Sequence, residues 1–271
     1  MRSQIEGLIT IKSKYWNKPI FKVYDDNRLL ASFIRAADAF HYVSRGIGYR
    51  IVYRSLEQII WKTETPQFPS ALLDVPLILQ LPELPRGCEV TALAMILQYY
   101  HIHADKEQLA NEVRRDYTPY RKMNGVVYFG NPYDGFVGDM YSFSEPGLGV
   151  YHGPIAELAE QYAPNRILDV TGVRFEQLYY YIDQGIPLWV INNVMYEELP
   201  APYWETWHTP SGEIQITMQE HAMVIVGYDT EFIYFKDPLN RQTRADKLGF
   251  IRGWEQLGKQ AIVVMPEAVL R

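Results

Sequence analysis

Apolar positions along this chain recur with two different periods, and each change of period marks an element. Near the N-terminus, "LITIKSKYW" (residues 8–16) and "PIFKVYD" (19–25) predict strands, and "DDNRLL" predicts a turn into the next run. Phe33, Ala37, Phe40 and Val43 then recur at helical spacing in "SFIRAADAFHYVSRG", which ends at Gly46. "YRIVYRS" and "QIIWK" return to strand character. Two prolines and no periodicity in "TETPQFPS" predict a linker near residues 64–71. Residues 1–68 therefore read as a small α+β module, and residues 69–271 as a second, larger domain.

The second domain opens with "LLDVPLILQ" and continues into a helix from Cys88 that is apolar nearly all round. Ala92, Met95, Ile96 and Tyr99 fill one side, Val90, Leu93, Ala94, Leu97 and Tyr100 most of the rest, and only Thr91 and Gln98 interrupt. A helix without a polar face belongs inside a domain. A further helix is predicted after Asp105, with Asp105 and Gln108 in capping-box positions. Residues 117–153 are rich in Gly, Tyr, Pro and Asn, and a long aromatic loop of this kind predicts an ordered wall of a cleft. Helices follow at 154–162 and 174–184, and then strands at "IPLWVINN", "HAMVIVGYD", "FIYFKDP" and "QAIVVM". An early helical half followed by a strand-rich half is an α+β pattern.

Composition changes this picture only at its edges. Apolar residues make up 48% and charged residues 21%, as expected of a globular protein. No run reaches the roughly 18–20 apolar residues of a membrane helix, and "MRSQIEGLITIKSK" lacks the apolar core of a secretory signal. A single cysteine allows no internal disulfide, so a cytoplasmic location is the expectation. The net charge of −6 argues against general nucleic-acid binding. It is unevenly spread: residues 1–70 hold 11 Lys and Arg against 6 Asp and Glu, and the remainder 15 against 26. The +5 module is expected to meet an anionic partner or the −11 domain beside it.

The candidate chemistry begins at Cys88. A lone cysteine most simply packs as a small apolar residue, yet this one opens a helix, where the dipole favours a thiolate. A thiol nucleophile needs a base and something to orient that base. Of six histidines, His41 belongs to the small module, and His152 and His208 fall in loops. His101, His103 and Asp105 form an H-x-H-x-D cluster that could ligate a metal but reads more simply as solvated loop. His221 differs because it opens a strand. If Asp229, Thr230 and Glu231 form a three-residue hairpin loop, Met223 faces Asp237, and His221 lies diagonally beside Asp237 on the same face. An even-numbered loop would separate them.

These residues resemble the papain-like cysteine peptidases, and within them the stand-alone bacterial relatives of the bacteriocin-processing, double-glycine peptidases. The similarity runs from about residue 72 to 265. It rests on Gln80, on Gly87-Cys88-Glu89, on "EHAMVIVGYD" with His221, on "FKDP" with Asp237, and on the order in which they come. The resemblance implies a papain-like α+β fold acting on a peptide or protein substrate without cofactor or metal. It implies Cys88 as nucleophile, His221 as base, Asp237 as the orienting acid and the Gln80 amide as an oxyanion donor. The same triad would serve an amidase or acyltransferase, and a silent relative would bind peptide or glycan. Glu89 departs from the glycine that commonly follows the cysteine in transporter-linked members. No phosphate-binding G-x-x-x-x-G-K-[ST] motif is present, so no export ATPase is expected.

Overall fold

The structure is a computed structural model that describes residues 20–44, 48–53, 58–63 and 69–267. The strand expected at 8–16 and most of the expected linker lie outside the described residues. The chain divides into two compact units, one ending at residue 67 and the other starting at 68.

The first unit is a four-stranded antiparallel sheet in the order β2-β1-β3-β4 with one helix. Its elements are β1 (Phe21–Asp25), β2 (Arg28–Phe33), α1 (Ala36–Val43), β3 (Tyr49–Tyr53) and β4 (Gln58–Lys62). Asp26, at φ 48°, turns β1 into β2. Helix α1 buries Phe40 and Val43 as expected, with Ala36 and Ala39 beside them in place of the expected Ala37. Phe33 lies in β2 instead, and Phe40 meets Trp61 edge-on at 5.5 Å.

The second unit packs a helical half against an antiparallel sheet. The helical half holds β5 (Ala71–Leu72), α2 (Cys88–Tyr99), α3 (Lys106–Glu112) and the short strands β6 (Arg115–Asp116), β7 (Arg121–Met123), β8 (Val126–Tyr128) and β9 (Phe136–Val137). It ends with α4 (His152–Tyr162), β10 (Ile167–Asp169) and α5 (Phe175–Asp183). The strand-rich half holds β11 (Leu188–Asn193), β12 (Glu205–Thr209), β13 (Gly212–Ile216), β14 (Glu220–Tyr228), β15 (Phe232–Lys236), β16 (Arg244–Asp246), α6 (Lys247–Gln256) and β17 (Ala261–Val264). The main sheet runs β10-β17-β11-β14-β15-β16, with β5 added beside β14. Gly227 makes that addition possible, because a Cβ there would collide with the Ala71 carbonyl.

Every residue of α2 from Cys88 to Leu97 is buried. The helix packs against β14 and β11, where Ala222, Val224, Val226, Trp189 and Ile191 complete its core. Burying ten consecutive side chains satisfies a sequence that offers no polar face, and fixes the helix axis against the sheet. Asp105 caps α3 by accepting from the backbone N–H of Glu107 and Gln108. Gln108 does not complete the capping box, since its amide turns outward to Glu112. The stretch 117–153 is less irregular than expected. It contributes β7 and β8, which with β12 and β13 make a small second sheet, and β9, which pairs with β6. Strands β12 and β13 and helix α6 carried no clear period in the sequence.

Candidate active site

Cys88 is the first residue of α2. The loop before it is fastened at several points. Lys106 Nζ donates to the carbonyls of Leu79 (2.6 Å) and Gln80 (3.2 Å) and to Glu83, and the backbone N–H of Gln80 donates to Pro238 O at 3.0 Å. The last of these bonds ties the Gln80 loop to the turn that follows Asp237. Arg86 grips the 139–142 loop by donating to the carbonyls of Asp139 and Ser142. Trp189 Nε1, from β11, donates to Glu89 O at 3.0 Å and holds the first turn of α2 onto the sheet.

His221 is the second residue of β14, opposite Asn192 of β11, and its Nε2 lies 2.6 Å from Asp237 Oδ1. The hairpin reaches this pairing by a different route from the expected one. Tyr228 pairs with Ile233, leaving a four-residue connection, and an extra residue at Val226 bulges between Ile225 and Gly227. The bulge restores the parity that an even loop would have broken. Val224 faces Lys236, so Met223 comes level with Asp237 as the three-residue loop would have had it.

Asp237 accepts four hydrogen bonds. Oδ1 takes His221 Nε2 and the Leu239 N–H (2.8 Å), and Oδ2 takes the Tyr196 hydroxyl (2.8 Å) and the Arg241 N–H (2.8 Å). Burial opposes its charge, but the His221 bond and charge and the two backbone donors outweigh burial, and its pKa falls to about 2. Tyr196 was not singled out in the sequence. It sits at φ 56° and stacks on Phe235 with ring centroids 5.0 Å apart, which aims its hydroxyl at the carboxylate.

The surroundings of Cys88 overturn one expectation. A helix start favours the thiolate, yet burial, followed by the charges of Glu89 and Glu220, pushes this thiol well above its ordinary range. A hydrogen bond from the Ala222 N–H works in the other direction. The thiol's own bond goes to Glu89 Oε2 at 3.3 Å, and Glu89 Oε1 accepts from the Val150 N–H at 2.6 Å. Glu220, at the end of β14, completes the group: Cys88 Sγ and one oxygen from each carboxylate lie within 4.8 Å of one another. A Cβ at Gly149 would collide with Glu89 Oε1 and approach Glu220 Oε2 to 3.0 Å, so only glycine lets both acids close here. With the thiol donating inward to Glu89, we read the cluster as one that shares protons rather than one that holds a metal.

Gln80 is buried beside this loop but does not point a free donor outward. Its Nε2 donates to Leu84 O (3.2 Å) and Pro85 O (2.8 Å), so both amide hydrogens brace the loop and Oε1 has no partner. His152 is not a loop residue, since it heads α4 and pairs with Asp169 at 2.6 Å, and His208 lies on β12 beside Glu213. Asp105 is spent on its helix cap, which leaves the H-x-H-x-D stretch as loop and cap.

The profile of the peptidase C39-like family matches residues 72–262. This chain belongs to the peptidase C39-like family. Over 195 residues, 71% of this chain and 75% of the other, it is 42% identical to the uncharacterized protein YvpB of Bacillus subtilis. A crystal structure from Bacillus anthracis, described as a C39-like peptidase, overlays with a TM-score of 0.68 at 43% identity. That overlay covers 73% of this chain and 98% of the other. A double glycine motif protease from an AMS/PCAT transporter, solved with its leader peptide, aligns over 72% of this chain and 92% of its own. At 14% identity and a TM-score of 0.33, that alignment is too loose to bring a substrate with it. The helical half packed on an antiparallel sheet is thus the papain-like α+β fold. Among the described residues, no helix is long and apolar enough to cross a membrane.

Proposed function

We propose that this family member is a cysteine peptidase in which Cys88, His221 and Asp237 act as nucleophile, base and orienting acid. The observation that carries the reading is the His221–Asp237 bond at 2.6 Å, at the strand end whose next residue, Ala222, gives its N–H to the Cys88 sulfur. With Nε2 held by Asp237, Nδ1 is the nitrogen left to serve the thiol.

In this mechanism His221 takes the thiol proton and Cys88 Sγ attacks the substrate carbonyl carbon. The tetrahedral intermediate collapses as the imidazolium gives its proton to the leaving amine, leaving an acyl-thioester. Water, deprotonated by the same imidazole, then releases the acid and regenerates the thiol. The backbone N–H of Cys88 is one of the helix-start donors without an intrahelical acceptor, and it suits the oxyanion. Gln80 would join it only by turning its amide away from Leu84 and Pro85. No metal or organic cofactor enters the sequence of steps.

Incubation with a diverse peptide library and mass spectrometry of the products tests this reading. Cleavage that disappears in Cys88→Ala supports it. Products carrying an added amine instead of water would identify an acyltransferase built on the same residues. A wild-type protein that neither cleaves peptides nor reacts with a thiol-directed peptide warhead would overturn it.

A further inference from the structure

Resting on the cysteine-peptidase reading, we infer that buried Glu89, set against the half-buried Glu220, is a proton-holding switch on the nucleophile, parking Cys88 as a thiol when Glu89 is ionised and releasing it as a thiolate when Glu89 carries a proton. The geometry already shows the parked form. The sulfur's hydrogen bond runs to Glu89 Oε2 at 3.3 Å, with Glu220 in the same group of atoms within 4.8 Å.

A carboxylate at that distance accepts the S–H and repels a negative sulfur, and little water screens the repulsion because Cys88 and Glu89 are both buried. A carboxylic acid in the same place does the reverse. When Glu89 is protonated, the thiol proton passes to His221, and the Glu89 O–H turns to donate to the thiolate. When Glu89 gives its proton to solvent, the sulfur takes its proton back from His221 and donates it to Glu89.

The groups facing the pair are few. Cys88 lies on the same helix, Glu220 comes from β14, and the buried Tyr151 hydroxyl from the turn into α4 is neutral and held so by burial and by Glu220. Among the described residues no cation stands against Glu89; besides Cys88, the Val150 N–H and its own backbone N–H donate to it. Burial therefore lifts Glu89 to about 7, and burial together with the Glu89 charge raises Glu220 well above its ordinary value. Two acids that close cannot both ionise freely, so the shared proton is retained toward neutrality. The sign follows: Glu89 carries its proton below about pH 7 and is ionised above it, so the reactive form of Cys88 should decline as pH rises through that point.

Glu89→Gln separates this role from a merely structural one. The amide keeps an oxygen for the Val150 N–H, offers a permanent donor to the sulfur, and cannot ionise. The measurement is the iodoacetamide rate at Cys88 from about pH 5.5 to 8.5, with thiolate absorbance alongside, in the full chain. The wild type should lose reactivity on passing about pH 7 before ordinary thiol ionisation, near pH 8.5, restores it. Glu89→Gln should show no such dip and should react about tenfold faster than the wild type just above neutrality, one unit of thiol pKa being a factor of ten. A wild-type profile without the dip, or a Glu89→Gln protein slower than wild type at every pH, would overturn the inference. The readout is the thiol alone. A protein that shows the dip but cleaves no peptide would refute the peptidase reading and leave the switch standing.

Discussion

Replacing Asp237 by asparagine removes one charge while leaving the shape of the site, and the hydrogen-bond census says what that should cost. The oxygen retained at Oδ1 can still accept from His221 and from the Leu239 N–H. At Oδ2 the new NH₂ can be accepted by the Tyr196 hydroxyl but points a donor at the Arg241 N–H. An orphaned buried N–H costs about 1–3 kcal/mol. The charge contributes separately, since a carboxyl held at about 2 against an unfolded value near 3.9 is worth about 2.6 kcal/mol at neutral pH. The two contributions overlap, and a total of roughly 3–4 kcal/mol corresponds to a melting temperature lower by about 6–16 °C for a unit of this size.

The pH dependence has a definite sign. A depressed folded pKa stabilises above the unfolded value and loses its effect as pH falls toward the folded one. The gap between wild type and Asp237→Asn should therefore be full at neutral pH and close between about pH 4 and 2. Calorimetric melts across that range measure it, and peptide turnover at neutral pH should survive in part because the His221 acceptor remains. Melting within a degree of wild type at neutral pH would show that the four donors do not converge on an ionised carboxylate, and the argument would fail.

Gln80→Ala should destabilise as well as slow the protein, because it strips the amide from the Leu84 and Pro85 carbonyls. Urea unfolding should show a loss of about 1–2 kcal/mol, whereas a pure oxyanion donor would lower kcat about 10²–10³-fold with stability intact. Residues 69–271 alone should fold and keep wild-type peptide turnover. The Bacillus anthracis structure, covered over 98% of its length while matching 73% of this chain, already folds at about that size, and circular dichroism with the peptide assay would check it. Cys88→Ala should abolish cleavage without lowering the melting temperature by more than the small loss of one buried sulfur, a comparison that separates chemistry from packing.

Elements with a strong period were legible in the sequence. Helix α2, with no polar face, had one possible location, and strands β11, β14 and β15 announced themselves as apolar runs ending in turn residues. Helix α6 was not legible, because Gly249 and Gly253 interrupt "KLGFIRGWEQ" and its buried residues are only Phe250, Gly253 and Trp254. Gly253 is there because Asn192, Asn193 and the Glu197 carbonyl leave no room for a Cβ, a packing reason that no local pattern carries. Strand β12 pairs with β8 across some 80 residues of sequence and with β13 beside it, and the exposed alternation of both was too weak to separate from loop. The His221–Asp237 pair came out of a parity argument whose premise was wrong in one detail. The longer connection and the Val226 bulge cancel, and only coordinates reveal a cancellation of that kind. Tyr196 and the Glu89–Glu220 pair could not be found by spacing, since each depends on strands and helices meeting in three dimensions.

The expectation of an acidic thiol failed for a reason of magnitude. A helix start contributes about 0.3–1 kcal/mol, and up to roughly 2 kcal/mol in favourable buried geometry, which moves a thiol pKa by little more than a unit. Full burial alone can move an ionisable group by 3–5 units, and here the charges of Glu89 and Glu220 add to burial. The dipole of α2 and the Ala222 N–H cannot offset that sum. A working nucleophile at this position therefore needs a cation brought to the sulfur and a negative charge removed from it. In the proposed mechanism His221 supplies the first, and a proton on Glu89 supplies the second. Only the two together bring the thiolate within reach at the pH where a peptidase must act.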